Sequence, residues 1–233
     1  MIGYYNYTMI LTYLSLLFSG AGIFASLSGG GHPYIGVFFL MISGLCDAFD
    51  GKVARTKPNR SEMEQKFGIQ IDSLSDIVAF GVLPACIGAA MLRCSPLMCA
   101  LIERFGDGLE SNIVRVAAFD LLILYMLAAL IRLAYFNVTE EERQQSEGGV
   151  RKFYTGLPVT SAALIFPTVL LIQYLTTSDI TPLYFAAVAL TGFAFLGKFQ
   201  LRKPGLRGIL IMVAIGAAEF IAMVIFRNFV RLR

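Results

Sequence analysis

The chain has 233 residues, of which 57% are hydrophobic and only 15% are charged. Soluble domains carry about 25% charged residues, so this composition excludes an ordinary soluble protein and indicates a polytopic membrane protein. The formal net charge is only +3, and we predict no nucleic-acid partner.

Seven apolar segments are long enough to cross the hydrocarbon layer as helices, which requires roughly 20 residues. In chain order they are Thr8–Ser28, Tyr34–Lys52, Gly68–Leu92, Val114–Phe136, Gly156–Leu175, Thr181–Lys198 and Gly208–Phe226. Ser95–Phe105 is apolar but too short to span, and we expect it to lie at the membrane interface. The polar stretch Asn137–Tyr154 predicts a long loop. The sequence therefore predicts an all-α integral membrane protein.

Basic residues concentrate in the connections that follow the second, fourth and sixth segments. These three connections hold most of the 19 Lys and Arg residues, which predicts by the positive-inside rule that they face the cytoplasm at the cell membrane. If the seventh segment crosses the membrane once, the arginines of the last seven residues lie on the outer side, contrary to this rule. Whether that segment spans fully is left open by the sequence.

Four carboxylates border the second and third segments. Asp47 and Asp50 are three residues apart, and Asp72 and Asp76 are four apart, so each pair shares one helix face. No formally charged residue precedes Asp47. Two facing helices would bring all four acids around one point on the cytoplasmic side. Such hard oxygen ligands suit Mg²⁺ or Mn²⁺, and we predict two divalent ions there.

Small and basic residues beside these acids indicate a phosphate ligand. Gly51 removes a side chain next to Asp50 and lets a ligand approach the backbone. Arg55 offers a planar donor fork for phosphate, and we expect Gly68 to provide similar clearance opposite. A cation channel or transporter is the alternative, but it would favour acids spread through the bilayer and internal repeats.

The acids and their neighbours form a pattern that resembles the signature of the CDP-alcohol phosphatidyltransferase family. The pattern is Asp47-x-x-Asp50-Gly51-x-x-Ala54-Arg55, a spacer, and then Gly68-x-x-x-Asp72-x-x-x-Asp76. The resemblance implies a six-helix core at about residues 6–198, an accessory C-terminal helix at about 208–226, and a single catalytic domain over 1–233. It also implies a homodimer that transfers a phosphatidyl group from a CDP-linked lipid to an alcohol.

The family resemblance further implies which residues contact the CDP-linked lipid. They are Gly51, Ala54, Arg55, Gly68 and, from the first helix, Thr12. Relatives often carry Thr-x-x-Asn in that helix. In this chain Thr12 matches the Thr, but Ser15 stands where the relatives have Asn.

Three further stretches are similar to the serine-using branch of the family, the phosphatidylserine synthases. They are Phe67–Pro84, Arg132–Asn137 and Phe153–Pro158. This similarity implies CDP-diacylglycerol as the donor and L-serine as the acceptor, with membrane lipids as surroundings. Glycerol 3-phosphate or inositol phosphate is the alternative acceptor.

The family assigns the role of general base to its fourth acid, which implies Asp76 as the base. The resemblance also implies Asp76 as a metal ligand, together with Asp47, Asp50 and Asp72. A serine carboxylate needs a cation, and Arg132 is the candidate, although a snorkelling contact with lipid headgroups would also explain it. Asn137, Tyr154 and Thr155 are expected nearby in the same layer. The alternative reading of Gly156–Pro158 is a simple helix start.

Overall fold

The computed structural model describes residues 2–28, 33–105, 109–146, 153–176, 178–202 and 206–231. Its helices are α1 (Ile10–Leu27), α2 (Pro33–Ala54), α3 (Glu62–Asp76), α4 (Leu83–Cys94), α5 (Pro96–Phe105), α6 (Leu109–Ser146), α7 (Ala162–Thr176), α8 (Thr181–Leu196) and α9 (Leu206–Arg231). Short 3₁₀ turns precede α1 and α7, at Tyr7–Met9 and Val159–Ser161. A π-helical segment, Ile77–Val82, joins α3 to α4 without a break.

Four helical stretches are long and apolar enough to cross a membrane: Tyr7–Leu27, Pro33–Ala54, Glu62–Cys94 and Asn112–Arg143. Three apolar helical stretches are shorter: Val159–Gln173, Thr181–Leu196 and Leu210–Ala222. Every predicted segment is thus mainly helical, and the all-α polytopic class is confirmed. Ser95–Phe105 contains the ten-residue helix α5, which is too short to span, as predicted.

The fourth predicted segment ends too early. Helix α6 continues to Ser146, ten residues beyond the expected end at Phe136, so the predicted loop is wrong over Asn137–Ser146. Most residues of this extension are Glu, Gln and Arg, which favour helix, and Arg143 forms an ion pair with Glu140 at 2.7 Å. Residues 147–152 of the predicted loop lie outside the described part of the chain.

A two-stranded ribbon is the one non-helical element of the described residues, and it was not predicted. Strand β1 (Phe153–Thr155) pairs antiparallel with β2 (Gln200–Arg202). Gly156 follows β1 with φ of 77°, and a Cβ there would lie 2.7 Å from the carbonyl oxygen of Gly197. Gly156 therefore turns the chain out of the ribbon and starts no helix, which corrects the predicted start of the fifth segment.

The core is built around α4 and the aromatic side chains of α6, α7 and α8. Tyr125 and Tyr184 are almost completely buried, and their hydroxyls donate to the carbonyl oxygens of Phe80 at 2.7 Å and Pro84 at 2.8 Å. In an α-helix the Phe80 carbonyl would accept from the amide of residue 84, which is a proline without an N–H. The Tyr125 hydroxyl supplies a donor at that carbonyl, four residues after Asp76.

Candidate active site

The four acids meet between α2 and α3, as their spacing predicted. Asp47, Asp50 and Asp72 each place one carboxylate oxygen within 4.8 Å of the others. The carboxyl groups of Asp47 and Asp76 lie within hydrogen-bonding reach of each other, and so do those of Asp50 and Asp72. Each acid of α2 therefore faces one acid of α3.

This arrangement of acids favours a bound cation. Asp50 and Asp76 are each only 8% exposed, and Oδ1 of Asp72 is buried without a hydrogen-bond partner among the described residues. Four carboxylates at such range repel one another strongly unless positive charge lies between them. An all-oxygen, all-carboxylate donor set with an unsatisfied oxygen fits Mg²⁺ or Mn²⁺.

Thr12 supports the acid cluster instead of facing open space. Its hydroxyl donates to Oδ2 of Asp50 at 3.3 Å, and its carbonyl oxygen accepts from the Ser75 hydroxyl at 3.2 Å. Ser15 lies one turn further along α1, where its carbonyl oxygen accepts from the Ser43 hydroxyl of α2 at 3.0 Å. Small hydroxyl side chains of α1, α2 and α3 therefore tie these three helices together at the level of the acids.

A cavity of about 670 Å³ adjoins the α2 side of the cluster. Its polar end is lined by Asp47, Asp50, Gly51, Lys52 and Arg55. Among the described residues, and apart from the backbone of its own helix, a Cβ on Gly51 would have only Nη2 of Arg55 within 4 Å, at 3.8 Å. Gly51 and Arg55 therefore border open space beside Asp50.

Lys52 was not predicted as a site residue. Its Nζ atom is buried and has no hydrogen-bond partner among the described residues, and it lies 5.1 Å from the ring centroid of Phe49. The available signal was its position between Gly51 and Arg55, where a second cation would also meet a phosphate. In the sequence, Lys52 contributes only to the predicted membrane orientation.

Gly68 does not provide clearance opposite Gly51. A Cβ on Gly68 would lie 2.7 Å from Nη2 of Arg60 and 3.1 Å from Cε of Met9, so the protein itself fills that space. Nη1 of Arg60 also donates to the carbonyl oxygen of Ala54 at 3.5 Å. Ala54 and Gly68 thus contact the loop between α2 and α3, and neither lines the cavity.

The residues expected to bind the acceptor are divided between two places. Arg132 is 5% exposed, and its Nε donates to the carbonyl oxygen of Leu157 at 3.1 Å. Because Arg132 is buried, it does not snorkel to lipid headgroups. Asn137 reaches α3, where its amide donates to the hydroxyl of Ser73 at 2.7 Å, one residue after Asp72.

Tyr154 and Thr155 belong to strand β1, paired with Leu201 and Gln200 of β2. The side chain of Tyr154 lies outside what the structure describes. Leu157 and Leu201 line the cavity, so the ribbon and the turn that follows it form its rim. Arg132 holds this rim through Leu157.

Comparison with known proteins agrees with the site. The family model of CDP-alcohol phosphatidyltransferase matches residues 5–197. A CDP-diacylglycerol–serine O-phosphatidyltransferase of Saccharomyces cerevisiae is 35% identical over 145 residues, which cover 60% of this chain and 43% of the relative. A protein of the same name from Helicobacter pylori strain J99 is 28% identical over 154 residues, 64% of this chain and 53% of the relative.

The relative of that name from Methanocaldococcus jannaschii is 30% identical over 126 residues, 54% of this chain and 45% of the relative. The chain spans about half the length of these curated relatives. No solved structure matches it significantly. Since the family model covers most of the sequence and its signature acids converge in space, the chain belongs to the CDP-alcohol phosphatidyltransferase family.

Proposed function

We propose that this protein transfers the phosphatidyl group of CDP-diacylglycerol to the hydroxyl of L-serine, in a metal-dependent reaction that yields phosphatidylserine and CMP. The observation that carries the proposal is the convergence of Asp47, Asp50 and Asp72 at the polar end of a large cavity that Gly51 and Arg55 also line. Family membership and the names of the relatives support the chemistry and the acceptor.

Asp47, Asp50 and Asp72 would hold the divalent ions, with Asp76 as a further ligand. Bound Mg²⁺ or Mn²⁺ supplies positive charge that neutralises phosphate oxygens and the leaving nucleotide. Thr12 contributes by orienting Asp50 through its hydrogen bond. We propose two ions, because four carboxylates carry more negative charge than one divalent ion offsets.

The donor diphosphate is bound by the chain's own cations. Arg55 and Lys52 both line the polar end of the cavity, and the buried Lys52 ammonium has no hydrogen-bond partner among the described residues. A phosphate oxygen would satisfy it. Gly51 leaves the space in which the diphosphate can approach the α2 backbone.

Asp76 acts as the general base for the acceptor. Its carboxylate takes the proton of the serine hydroxyl while the hydroxyl oxygen bonds to the phosphorus that carries diacylglycerol. The bond from that phosphorus to the CMP oxygen breaks, and CMP leaves. Asp76 is suited to this role because it is 8% exposed and faces Asp47 across the two helices.

Serine is oriented by residues from two places, the rim of the cavity and the α3 face beside the acids. We propose that Arg132 binds its carboxylate, with Asn137, Tyr154 and Thr155 completing the acceptor site. Asn137 already lies beside the acids through Ser73. The concentration of Lys and Arg near this end supports a site on the cytoplasmic side of the cell membrane, and we propose that the chain works there as a homodimer.

One assay tests the proposal. Purified protein in detergent with Mg²⁺ or Mn²⁺ and CDP-diacylglycerol is offered L-serine, glycerol 3-phosphate or inositol phosphate, and CMP release is measured. We expect release with serine that stops when EDTA is added. Release with only another acceptor would replace serine by that acceptor, and metal-independent release would contradict the proposed role of the acids.

The acceptor site has its own test. Arg132→Ala should raise the KM for serine more than tenfold, since it removes a charge-assisted hydrogen bond, and leave the KM for CDP-diacylglycerol nearly unchanged. Arg143→Ala is the matched control, because Arg143 lies on the same helix and pairs with Glu140. Equal changes in both KM values would assign Arg132 to holding the rim rather than to binding serine.

A further inference from the structure

The cavity beside the acids has two chemically different ends. One end carries the carboxylates and cations of α2. The other is apolar and is formed by α7 and α9, which contribute Leu164, Met212, Val213, Gly216, Ala217 and Phe220. An occupant that satisfies both ends carries phosphate at one side and hydrocarbon at the other.

Helix α9 is held in a defined rotation against the bundle. Thr168 of α7 donates a hydrogen bond to the buried carboxyl group of Glu219, and the Phe220 ring packs edge-on against Phe38 of α2 at 5.0 Å between centroids. A carboxyl group within an apolar helix is costly unless it is hydrogen-bonded. The Glu219 contact therefore favours the rotation in which Gly216, Ala217 and Phe220 face the cavity.

Helix α9 also lies beyond the part of the chain that the family model matches, residues 5–197. Its residues Met212 and Phe220 are 36% and 39% exposed, so this wall borders both the cavity and the surrounding lipid. The α2 and α7 backbones approach closely behind it, since a Cβ on Gly44 would lie 2.4 Å from Cβ of Ala163. Gly44 and Ala163 both line the cavity, so this contact closes the cavity between α2 and α7 at these two residues.

We propose that α9 forms the membrane-side wall of the donor site and that Gly216 and Ala217 set the length of the acyl chain the site accepts. This inference rests on the proposed function, because it takes the lipid-linked nucleotide as the occupant. The cavity is continuous from the α2 acids to the α9 wall, and a ligand that fills it therefore carries both a diphosphate and an acyl chain. Small residues at these two positions leave the room that a long chain needs.

A matched pair of substitutions tests the wall. Ala217→Leu adds bulk toward the cavity, whereas Ala218→Leu adds the same bulk at the neighbouring, exposed position that does not line it. CMP release is measured with dioleoyl and dioctanoyl CDP-diacylglycerol. We expect Ala217→Leu to lower kcat/KM for the dioleoyl donor about tenfold relative to the dioctanoyl donor. Ala218→Leu should change that ratio less than about twofold.

An unchanged ratio in Ala217→Leu would overturn the inference, and so would an equal change in both variants. Gly216→Ala is the milder second variant, since its methyl group would lie 3.5 Å from Cδ2 of Leu164, an ordinary contact. It should shift the ratio in the same direction by a smaller factor, and no shift would count against the wall.

Crosslinking separates this inference from the proposed function, because it needs binding but no turnover. The unmodified protein is irradiated with CDP-diacylglycerol that carries a diazirine near the end of one acyl chain, and the labelled peptides are mapped. Label within Leu206–Arg231 supports the wall, and label confined to other helices overturns it. Absence of CMP release in the unmodified protein would count against the proposed function alone.

Discussion

The two halves of the helix from Glu62 to Cys94 are built on opposite principles. In α3 the buried residues are Glu64, Ser75 and Asp76, all of them polar, and Oδ1 of Asp72 is buried without a hydrogen-bond partner among the described residues. In α4 two thirds of the residues are buried and nearly all are apolar. The π-helical segment Ile77–Val82 lies between the two halves.

The two halves also treat unsatisfied polar groups differently. Phe80 lies in the π-helical segment beside Pro84, which has no amide donor, and its carbonyl oxygen accepts from the buried Tyr125 hydroxyl. No such partner reaches Oδ1 of Asp72 among the described residues. The contrast indicates that α4 stabilises the helix by packing, while α3 keeps carboxylate oxygens without partners that a ligand can bind. Such a loss of stability is expected at a functional site.

The largest expected effect is on turnover, in the α3 half. Asp76→Asn should lower kcat about 10²–10⁴-fold, because it removes the proposed general base, and should largely spare the binding of CDP-diacylglycerol. CMP release and equilibrium binding of the donor measure the two quantities. An equal loss of binding would assign Asp76 to the metal site alone.

The next effect is on stability, at the start of the α4 half. Tyr125→Phe should lower the free energy of unfolding by about 1–3 kcal/mol, because it leaves the Phe80 carbonyl buried without this donor. Thermal unfolding in detergent measures the loss. Tyr13→Phe is the matched control, since its hydroxyl donates to the Tyr4 carbonyl at 2.8 Å in a less buried place. A loss no larger than that of the control would show that Phe80 finds another donor.

Local patterns were sufficient to predict the acid cluster. The spacing of Asp47 with Asp50 and of Asp72 with Asp76 determines which helix faces carry them, and the short loop Arg55–Ser61 brings the faces together. The seven apolar segments were recognised for the same reason, since hydropathy and length are properties of a single stretch of chain.

Contacts between distant parts of the chain were not predictable from these patterns. Gly68 is matched by its spacing to the signature, but only the structure shows that Arg60 and Met9 fill the space above it. The left-handed turn at Gly156 depends on the neighbouring backbone at Gly197, which lies some forty residues away. The wall that α9 adds to the cavity is likewise a tertiary feature.

A smaller effect of opposite sign is expected when charge is removed from α3. In EDTA, Asp72→Asn should raise the stability by about 1 kcal/mol, because it relieves the repulsion with Asp50. That corresponds to about 2–4 °C in Tm for a chain of this size. Added Mg²⁺ or Mn²⁺ should then stabilise the unmodified protein more than the variant. A variant that is less stable than the unmodified protein in EDTA would mean that the contact between the carboxyl groups of Asp72 and Asp50 stabilises the fold more than their repulsion costs.

An effect of similar size is expected at the far end of the α4 half. Asp179 accepts hydrogen bonds from the Ser95 hydroxyl at 2.5 Å, the Leu97 amide at 3.0 Å and the Thr181 amide at 2.9 Å, so it ties the end of α4 to the starts of α5 and α8. Asp179→Ala should cost about 1 kcal/mol, as expected for the loss of a capping side chain.

The pH dependence of that cost tests its origin. Burial raises the pKa of Asp179, but the hydrogen bonds from Ser95, Thr181 and Leu97 outweigh it and hold the pKa below the ordinary value of 3.8. A lowered pKa stabilises the fold above the ordinary value, and this contribution is lost as the pH falls through the folded-state pKa. The stability difference between the unmodified protein and Asp179→Ala should therefore stay constant from about pH 7 to 5 and shrink below about pH 4. A difference that does not shrink as the pH falls through the folded-state pKa of Asp179 would mean that hydrogen bonds to the neutral side chain, and not its charge, stabilise this corner.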